Sequence, residues 1–437
     1  MERTEENLEK KFCGKCVLDK KIGQRLVNTK YFAYGRTVQT SVRKDNVIWF
    51  FENGEIDNKA SRYFVEVLSP KEKGAFSSED YFFFQTVHTG AFLEKGKTTK
   101  GRGIRHRFLA NHIPKLDGLE LDDKRIIDRK NSELEDESDW EKEVLTFRGI
   151  SWLSKWLPED ARDQNGYRGA ELLGILRADI DNLGFLFSSG FKKTAVEKNK
   201  EVDNVTVSRY LTFSRMVDTF FSGWVNEILS SHEEFKAIYT VYSGGDDLFI
   251  VGPWERVIKF AIHLNDKFRE FTCDNKRNIS LSAGIAVVKP HYPISSGAEQ
   301  AKVLLELARQ SGKDSIALFG TIVKWDELSP LTEFFEFLDE KLHDDHSGIT
   351  FGFVNRLLRY HRMYTKVKFE GRVEDIKYLP LLNYDIGRNI IKRDREGQIS
   401  NLDELEKLNI LRECPPRERF MSSLKIPIFW TLYRNRK

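Results

Sequence analysis

The chain has 437 residues, too many for one compact hydrophobic core, so two to four domains are expected. Its 70 basic against 67 acidic residues leave a net charge of +3, which excludes a surface built throughout for nucleic acid; any such surface has to be local. No stretch is apolar enough to span a bilayer and the charged start, Met1-Glu2-Arg3-Thr4-Glu5-Glu6-Asn7, has no signal-peptide core, so a cytoplasmic protein with no membrane partner is expected.

In chain order, residues 1–30 carry Lys11-Phe12-Cys13-Gly14-Lys15-Cys16, a C-x2-C knuckle that reads as half of a structural Zn2+ site. Four ligands close a tetrahedral shell, yet Cys273 and Cys414 stand alone and no suitably spaced His pair follows. Cys13 and Cys16 therefore form either an unmetallated turn or half of a zinc element whose other cysteines lie on other polypeptide. Residues 31–165 read as a β-rich linker domain, with strands at 45–51, 63–68 and 81–84 between Gly, Asn and Pro signals. A basic cluster follows: Lys97, Lys100, Arg102, Arg105, His106 and Arg107. It reads as a solvated loop or as a contact for RNA phosphates. Residues 117–142 are mostly charged and are expected to be an exposed, partly disordered insertion.

The signals sharpen over 166–323. An apolar strand, Leu172-Leu173-Gly174-Ile175-Leu176-Arg177-Ala178, ends in Asp179-Ile180-Asp181. Ser208 can cap a long helix to about Ser230, whose apolar residues recur at helical spacing. A hairpin follows, 238–242 and 248–251, with Gly244-Gly245-Asp246-Asp247 at its tip. Helices at 253–271 and 298–310 and strands at 279–287 and 315–319 complete the module. Adjacent carboxylates after glycines suit a hard divalent cation and the phosphates of a nucleotide, since carboxylate oxygen ligates such ions and bare backbone lets phosphate come close. The bland alternative, an Asp-Gly surface turn, has no need of an apolar strand on each side. The order β-α-β-β-α-β with an appended helix and strand is the ferredoxin-like arrangement of polymerase and cyclase palms. In it the end of the first strand neighbours the hairpin tip, which sets Asp179 beside Asp246 and Asp247. Residues 324–437 read as a C-terminal helical bundle with helices at 331–342, 351–364, 378–392 and 402–413. His343-Asp344-Asp345-His346 reads as a polar loop. The fold class is α+β: a ferredoxin-like palm between a β-rich linker domain and a helical bundle.

Several stretches together resemble the large subunit of type III-A (Csm) CRISPR effector complexes. They are Leu176-Arg177-Ala178-Asp179-Ile180-Asp181-Asn182-Leu183-Gly184, Val207-Ser208-Arg209, Val241-Tyr242-Ser243-Gly244-Gly245-Asp246-Asp247-Leu248-Phe249, and Leu281-Ser282-Ala283-Gly284-Ile285 with Tyr292-Pro293-Ile294. Upstream, Arg107-Phe108-Leu109-Ala110-Asn111-His112-Ile113-Pro114 fits as well.

The resemblance implies that Asp179, Asp246 and Asp247 hold Mg2+ or Mn2+ and are catalytic. It further implies that Ile180, Asn182, Leu183, Ser243, Gly244, Gly245, Arg309 and Lys313 bind the nucleotide, ATP, which is condensed to cyclic oligoadenylate when target RNA is bound. Asp181 is set apart as structural. The family's large subunit also carries an HD nuclease domain, a first palm and a four-cysteine zinc element. The chain is accordingly expected to be a C-terminal portion or one half of a split subunit, with the first palm on a separate chain. Other Csm subunits, CRISPR RNA and target RNA are the expected partners, and no DNA cleavage is assigned to these residues. The rival readings are a catalytically silent palm scaffold for assembly and RNA binding, and a GGDEF-type cyclic-dinucleotide synthase. The second fits less well because Asp247-Leu248-Phe249 stands where Glu-Phe belongs.

Overall fold

The computed structural model describes residues 31–37, 47–52, 62–68, 81–87, 103–107, 112–132, 145–156, 166–190, 192–195, 200–203, 206–276, 278–344, 347–391, 401–412 and 416–436. Cys13, Cys16, Lys97, Lys100 and Arg102 lie outside them. The described residues fall into two compact units. The first draws on Met1–Asn111, Arg215–Ile228 and Ser243–Gly245, and the second on His112–Ser214, Leu229–Tyr242 and Asp246–Lys437.

The first unit contains a five-stranded sheet of β1 (Tyr31–Thr37), β2 (Val47–Glu52), β3 (Arg62–Leu68), β4 (Tyr81–Val87) and β5 (Gly103–Arg107), ordered β2-β3-β1-β4-β5. Aromatic and β-branched residues fill these strands, as the sequence reading expects. Two strands were not foreseen. β1, at the centre, carries Gly35, and a register shift falls between Tyr34 and Gly35. β5 takes up Arg105, His106 and Arg107, which were expected in a loop. It runs parallel to β4 in the register Phe83 to Gly103 through Val87 to Arg107, so it covers hydrogen-bonding groups that β4 would otherwise present as an edge.

In the second unit, α1 (Leu121–Ser132) and α2 (Phe147–Trp152) precede β6 (Leu173–Ile180). Over 121–132 α1 replaces the exposed, partly disordered insertion that was expected over 117–142, and the end of that stretch, 133–142, lies outside the described residues. Leu119, Ile126 and Ile127 are buried in one core cluster with Trp152, Ile175 and Val251, and Asp123 receives both guanidinium nitrogens of Arg256 at 2.5 and 2.7 Å. Three apolar positions among many charges were enough, because burial depends on which face they share and not on their share of the composition.

α3 (Leu183–Ser189) and the small hairpin of β7 (Lys192–Ala195) and β8 (Lys200–Asp203) follow. The single helix expected from Ser208 is instead α4 (Val207–Thr219), a π-turn over Phe220–Trp224 and α5 (Val225–Ser231). Its cap is Thr206, whose hydroxyl accepts from the backbone N–H of Arg209 at 3.2 Å, two residues before Ser208.

The hairpin β9 (Tyr239–Gly244) and β10 (Asp247–Pro253) leads to α6 (Trp254–Phe271), β11 (Leu281–Val288), α7 (Ile294–Gln310), β12 (Ser315–Leu318) and β13 (Thr321–Lys324). The six strands are ordered β13-β12-β11-β6-β10-β9. Within that order, β11-β6-β10-β9 places the first strand of the palm between its third and fourth, with β6 antiparallel to both neighbours. This is the ferredoxin-like arrangement expected. Helices cover both faces of β6. A Cβ on Gly174 would come within 2.9 Å of Trp254 and Val257 on α6, whereas Ile175, on the opposite face, lies against Gly297 of α7. At Gly284 the approach is closest: a Cβ would stand 2.3 Å from the Leu305 backbone nitrogen, so only glycine lets α7 lie this close to β11.

The C-terminal region is helical, with α8 (Trp325–Leu342), α9 (Phe351–Glu370), α10 (Tyr378–Asn389), α11 (Leu402–Asn409), α12 (Pro416–Ser423) and α13 (Lys425–Arg434). The last two helices were not expected. α13 joins the bundle to the palm: Trp430 stacks on Phe335, Tyr433 meets Trp254 edge-on, and Trp156 Nε1 donates to the Arg434 carbonyl at 2.9 Å. His343 follows α8 and is structural, accepting from Arg168 at its Nδ1 (2.7 Å) and donating from its Nε2 to Asn435 Oδ1 (2.8 Å). Among the described residues no helix is long and apolar enough to cross a membrane.

Candidate active site

The site is set by register. Because β6 and β10 pair antiparallel, Asp179 falls directly opposite Asp247, and on the other side opposite Ser282 of β11. Directly opposed residues project to the same face of a sheet, so the two aspartates share one surface. The Ile180 N–H donates to the Asp246 carbonyl at 3.3 Å, which fixes the end of the first strand to the residue just before β10. Asp179 is buried, Asp246 half-buried and Asp247 exposed.

Electrostatics follow from that crowding. Burial pushes the Asp179 carboxyl up to about 7, Arg309 opposes this, and the charges of Asp247, Asp246 and Asp181 add to it. Asp247 is also raised, first by burial and then by Asp246, with Arg177 and Arg309 acting against the shift. The sequence reading gave Arg177 no role, yet its guanidinium lies 5.1 Å from the centroid of the Phe249 ring, two residues from Asp179 on β6. Its signal was available: apart from Asp179 it is the one charge in an otherwise apolar strand, and it lies on the same alternating face.

Asp181 has a different role from its neighbour. It is fully buried and accepts from Ser280 Oγ (2.7 Å), Ser282 Oγ (2.8 and 2.9 Å) and the Asp314 backbone N–H (3.0 Å). It therefore ties the end of β6 to β11 and to the turn after α7. Two cations arrive on that side. Arg309, in the last turn of α7, forms an ion pair with Asp179 Oδ2, and Lys313 donates to Asn182 Oδ1. Asn182 and Lys313 both hold left-handed backbone (φ 62° and 59°), which short loops adopt where the chain must reverse tightly. The Lys324 ammonium donates to the Gly312 carbonyl at 2.7 Å and also to that of Lys313, and so fixes the turn.

Ser243, Gly244 and Gly245 belong to the first unit. The Ser243 hydroxyl donates to the Phe221 carbonyl at 2.5 Å, and the Gly245 N–H donates to Asp218 Oδ1 at 3.3 Å. Gly245 has φ +65°, a conformation that favours glycine at the turn. Leu183 opens α3, with Asn182 as its cap residue.

The donor set is chemically right for Mg2+ or Mn2+: carboxylate oxygen only, with no sulfur or imidazole. Among the described residues no three His, Cys, Asp or Glu side chains are already gathered as a metal-binding group. Mg2+ is commonly held by one or two carboxylates together with phosphate oxygens and water. Asp179 with Asp247, and Asp246 beside them in the chain, would hold it.

Known proteins fit this picture. Residues 172–317 match the family described as Cas10/Cmr2, second palm domain. The chain is 37% identical over 173 residues to the single-strand-specific deoxyribonuclease Cas10/Csm1 (subtype III-A) of Mycobacterium tuberculosis, covering 37% of this chain and 20% of that protein. To the same-named protein of Streptococcus thermophilus it is 34% identical over 244 residues, or 56% of this chain and 26% of the relative. The match thus spans about a quarter or less of these relatives. Among solved structures, the Csm1–Csm4 subcomplex of the type III-A CRISPR–Csm interference complex aligns with TM-score 0.58 at 18% identity, over 96% of this chain and 50% of that one. Csm1–Csm4 cassettes in complex with one ATP (18%) and with cA4 (19%) each align at TM-score 0.56, over 93% and 92% of this chain and 48% of the other.

Proposed function

We propose that the chain, whose residues 172–317 match the Cas10/Cmr2 second palm domain, is the palm subunit of a type III CRISPR effector complex and makes cyclic oligoadenylate from ATP. The observation that carries the proposal is the opposition of Asp179 and Asp247 across β6 and β10, with Asp246 adjacent and two cations reaching the same end of β6 from α7 and its turn. Solved relatives in this fold have been captured with ATP and with cA4, which supports adenine nucleotides as the substrate class.

In the proposed reaction a ribose 3′-hydroxyl oxygen attacks the α-phosphorus of a second ATP. The new O–P bond replaces the bond to the β-phosphate, and pyrophosphate departs. A divalent cation bound by the carboxylates supplies a lower pKa for the attacking hydroxyl and neutralises charge on the triphosphate and leaving group. Asp179, Asp246 and Asp247 would hold that cation. Arg309 and Lys313 reach the triphosphate from the α7 side, Ile180, Asn182 and Leu183 bring backbone close to phosphate, and Ser243, Gly244 and Gly245 line the nucleotide. Two nucleotides have to meet head to tail, so a first palm completes the site. Other Csm subunits, CRISPR RNA and target RNA complete the assembly.

The test is reconstitution of the complex with guide and target RNA, ATP and Mg2+ or Mn2+, with products read by mass spectrometry. Oligoadenylates are expected from the wild type and not from Asp246→Ala with Asp247→Ala. Product surviving that double substitution would place the chemistry elsewhere, and an assembled, RNA-bound complex with no product would favour the scaffold reading.

A further inference from the structure

The ion pair between Arg309 and Asp179 uses a carboxylate that the reading above gives to a metal ion. Asp179 Oδ2 is the acceptor, and Asp179 is buried, so its oxygens have few other partners to choose from. A guanidinium at that oxygen and a divalent cation on the same carboxylate repel each other. The backbone around this contact is fixed on both sides. Asp181 holds the end of β6 to Ser280, Ser282 and the Asp314 N–H, while Lys324 clamps the carbonyls of Gly312 and Lys313. Movement is therefore left to the side chains. Arg309 is long, about one-third exposed, and has a second, looser anionic neighbour in Glu306 at 3.9 Å, one turn back on α7. Lys313 is held in the same manner on Asn182 Oδ1. Both cations reaching the site thus rest on residues at the end of β6.

We propose that Arg309 is a latch on the metal site: it competes with the divalent ion for Asp179 and is drawn off by the nucleotide triphosphate, so that metal and nucleotide bind with positive coupling. The proposal rests on reading this palm as a metal-dependent nucleotide site. Arg309 is then a positioning residue for Asp179, as well as a phosphate ligand. A triphosphate offers the guanidinium several anionic oxygens in place of one carboxylate, and bidentate pairing with phosphate suits its planar fork. Metal alone would meet the latch closed.

The experiment is Mn2+ binding to the full chain, followed by the electron paramagnetic resonance signal of free Mn2+, with and without a non-reacting α,β-methylene analogue of ATP. Without nucleotide, Arg309→Gln is expected to bind Mn2+ about three- to tenfold more tightly than the wild type, the range expected for removing one partly solvated charge beside a divalent ion. Arg309→Lys, which keeps the charge, is expected to stay closer to the wild type. Adding the analogue is expected to raise Mn2+ affinity more in the wild type than in Arg309→Gln. Equal or weaker Mn2+ binding by Arg309→Gln without nucleotide, while Asp246→Asn with Asp247→Asn loses binding, overturns the latch and leaves the metal site standing. Mn2+ binding undiminished in the double Asn variant overturns both. Circular dichroism of each variant separates these outcomes from loss of fold.

Discussion

Asp179 and Asp181, two residues apart at the end of β6, differ sharply in their surroundings. Asp179 faces another carboxylate and a guanidinium, whereas Asp181 faces hydroxyl and backbone N–H donors only. Asp181→Ala leaves Ser280, Ser282 and the Asp314 N–H without their acceptor in a fully buried position. It is expected to cost about 2–4 kcal/mol in denaturant unfolding. A loss under 1 kcal/mol would mean that water replaces the carboxylate without penalty. His361, buried, and His112, half-buried, are both disfavoured in their charged form by the fold. His361 donates from Nδ1 to the Met421 carbonyl at 2.7 Å, and burial lowers its pKa below 6.5; His112, donating from Nε2 to the Lys236 carbonyl, is lowered for the same first reason. The unfolded chain then binds more protons than the folded one below pH 6.5. Their contribution to stability is full above pH 6.5 and is lost as pH falls through the lowered values. Asp179, raised to about 7, takes up protons in the folded state over the same range and works in the opposite direction, so the test is the difference between two proteins: from pH 7.5 to 5.5 His361→Asn is expected to lose less stability than the wild type, and equal slopes would remove His361 from the account.

The palm depends on how closely its helices approach the sheet, and Gly284 is where this is tightest. Gly284→Ala puts a methyl 2.3 Å from the Leu305 nitrogen and 2.5 Å from the Ala301 carbonyl oxygen. α7 has to shift, at a cost of about 1–3 kcal/mol. Because α7 carries Arg309, nucleotide affinity is expected to fall with stability, whereas a change in stability alone would separate the helix from the site. Elements with strong local signatures were legible in the sequence: β6 and the hairpin through their apolar runs and glycines, α6 through its periodicity. Others were hidden for physical reasons. In α1 the buried positions are scattered among charges, and only contact with β6, β10 and Arg256 makes a helix of it. The π-turn at Phe220–Trp224 leaves the apolar spacing intact while breaking the hydrogen-bond register, so a single helix was the natural reading. α12 and α13 were not expected; they begin near Pro416 and Pro427, and proline is tolerated in the first turn, where the missing N–H has no helical partner.

In the second unit the palm and the C-terminal helices share α13, so the bundle is structurally part of the enzyme-like domain. Arg434 bridges Glu255 of α6 (2.5 Å) and Asp339 of α8 (3.0 Å), with Glu255 almost fully buried. Arg434→Met takes the shared guanidinium from both carboxylates, leaving Glu255 with Lys259 at 3.8 Å and Asp339 with the Asn435 amide, and is expected to cost about 2–3 kcal/mol, given that the arginine is partly solvated. The loss is expected to appear in a single transition reported by palm and bundle probes together. Two separated transitions would show that the seam is weak. At this scale the sequence was informative about the palm and silent about the seam, because Glu255, Asp339 and Arg434 are far apart in the chain and each reads as an ordinary surface charge. The central claim concerns the three aspartates, and it is tested most directly by an anomalous difference map of the chain crystallised with Mn2+ and α,β-methylene ATP. The account predicts manganese within about 2.1 Å of oxygens of Asp179 and of Asp246 or Asp247, bridged to triphosphate oxygens, with Arg309 moved onto the phosphates. Nucleotide bound with no manganese at these carboxylates, or with Arg309 still paired to Asp179, would contradict it.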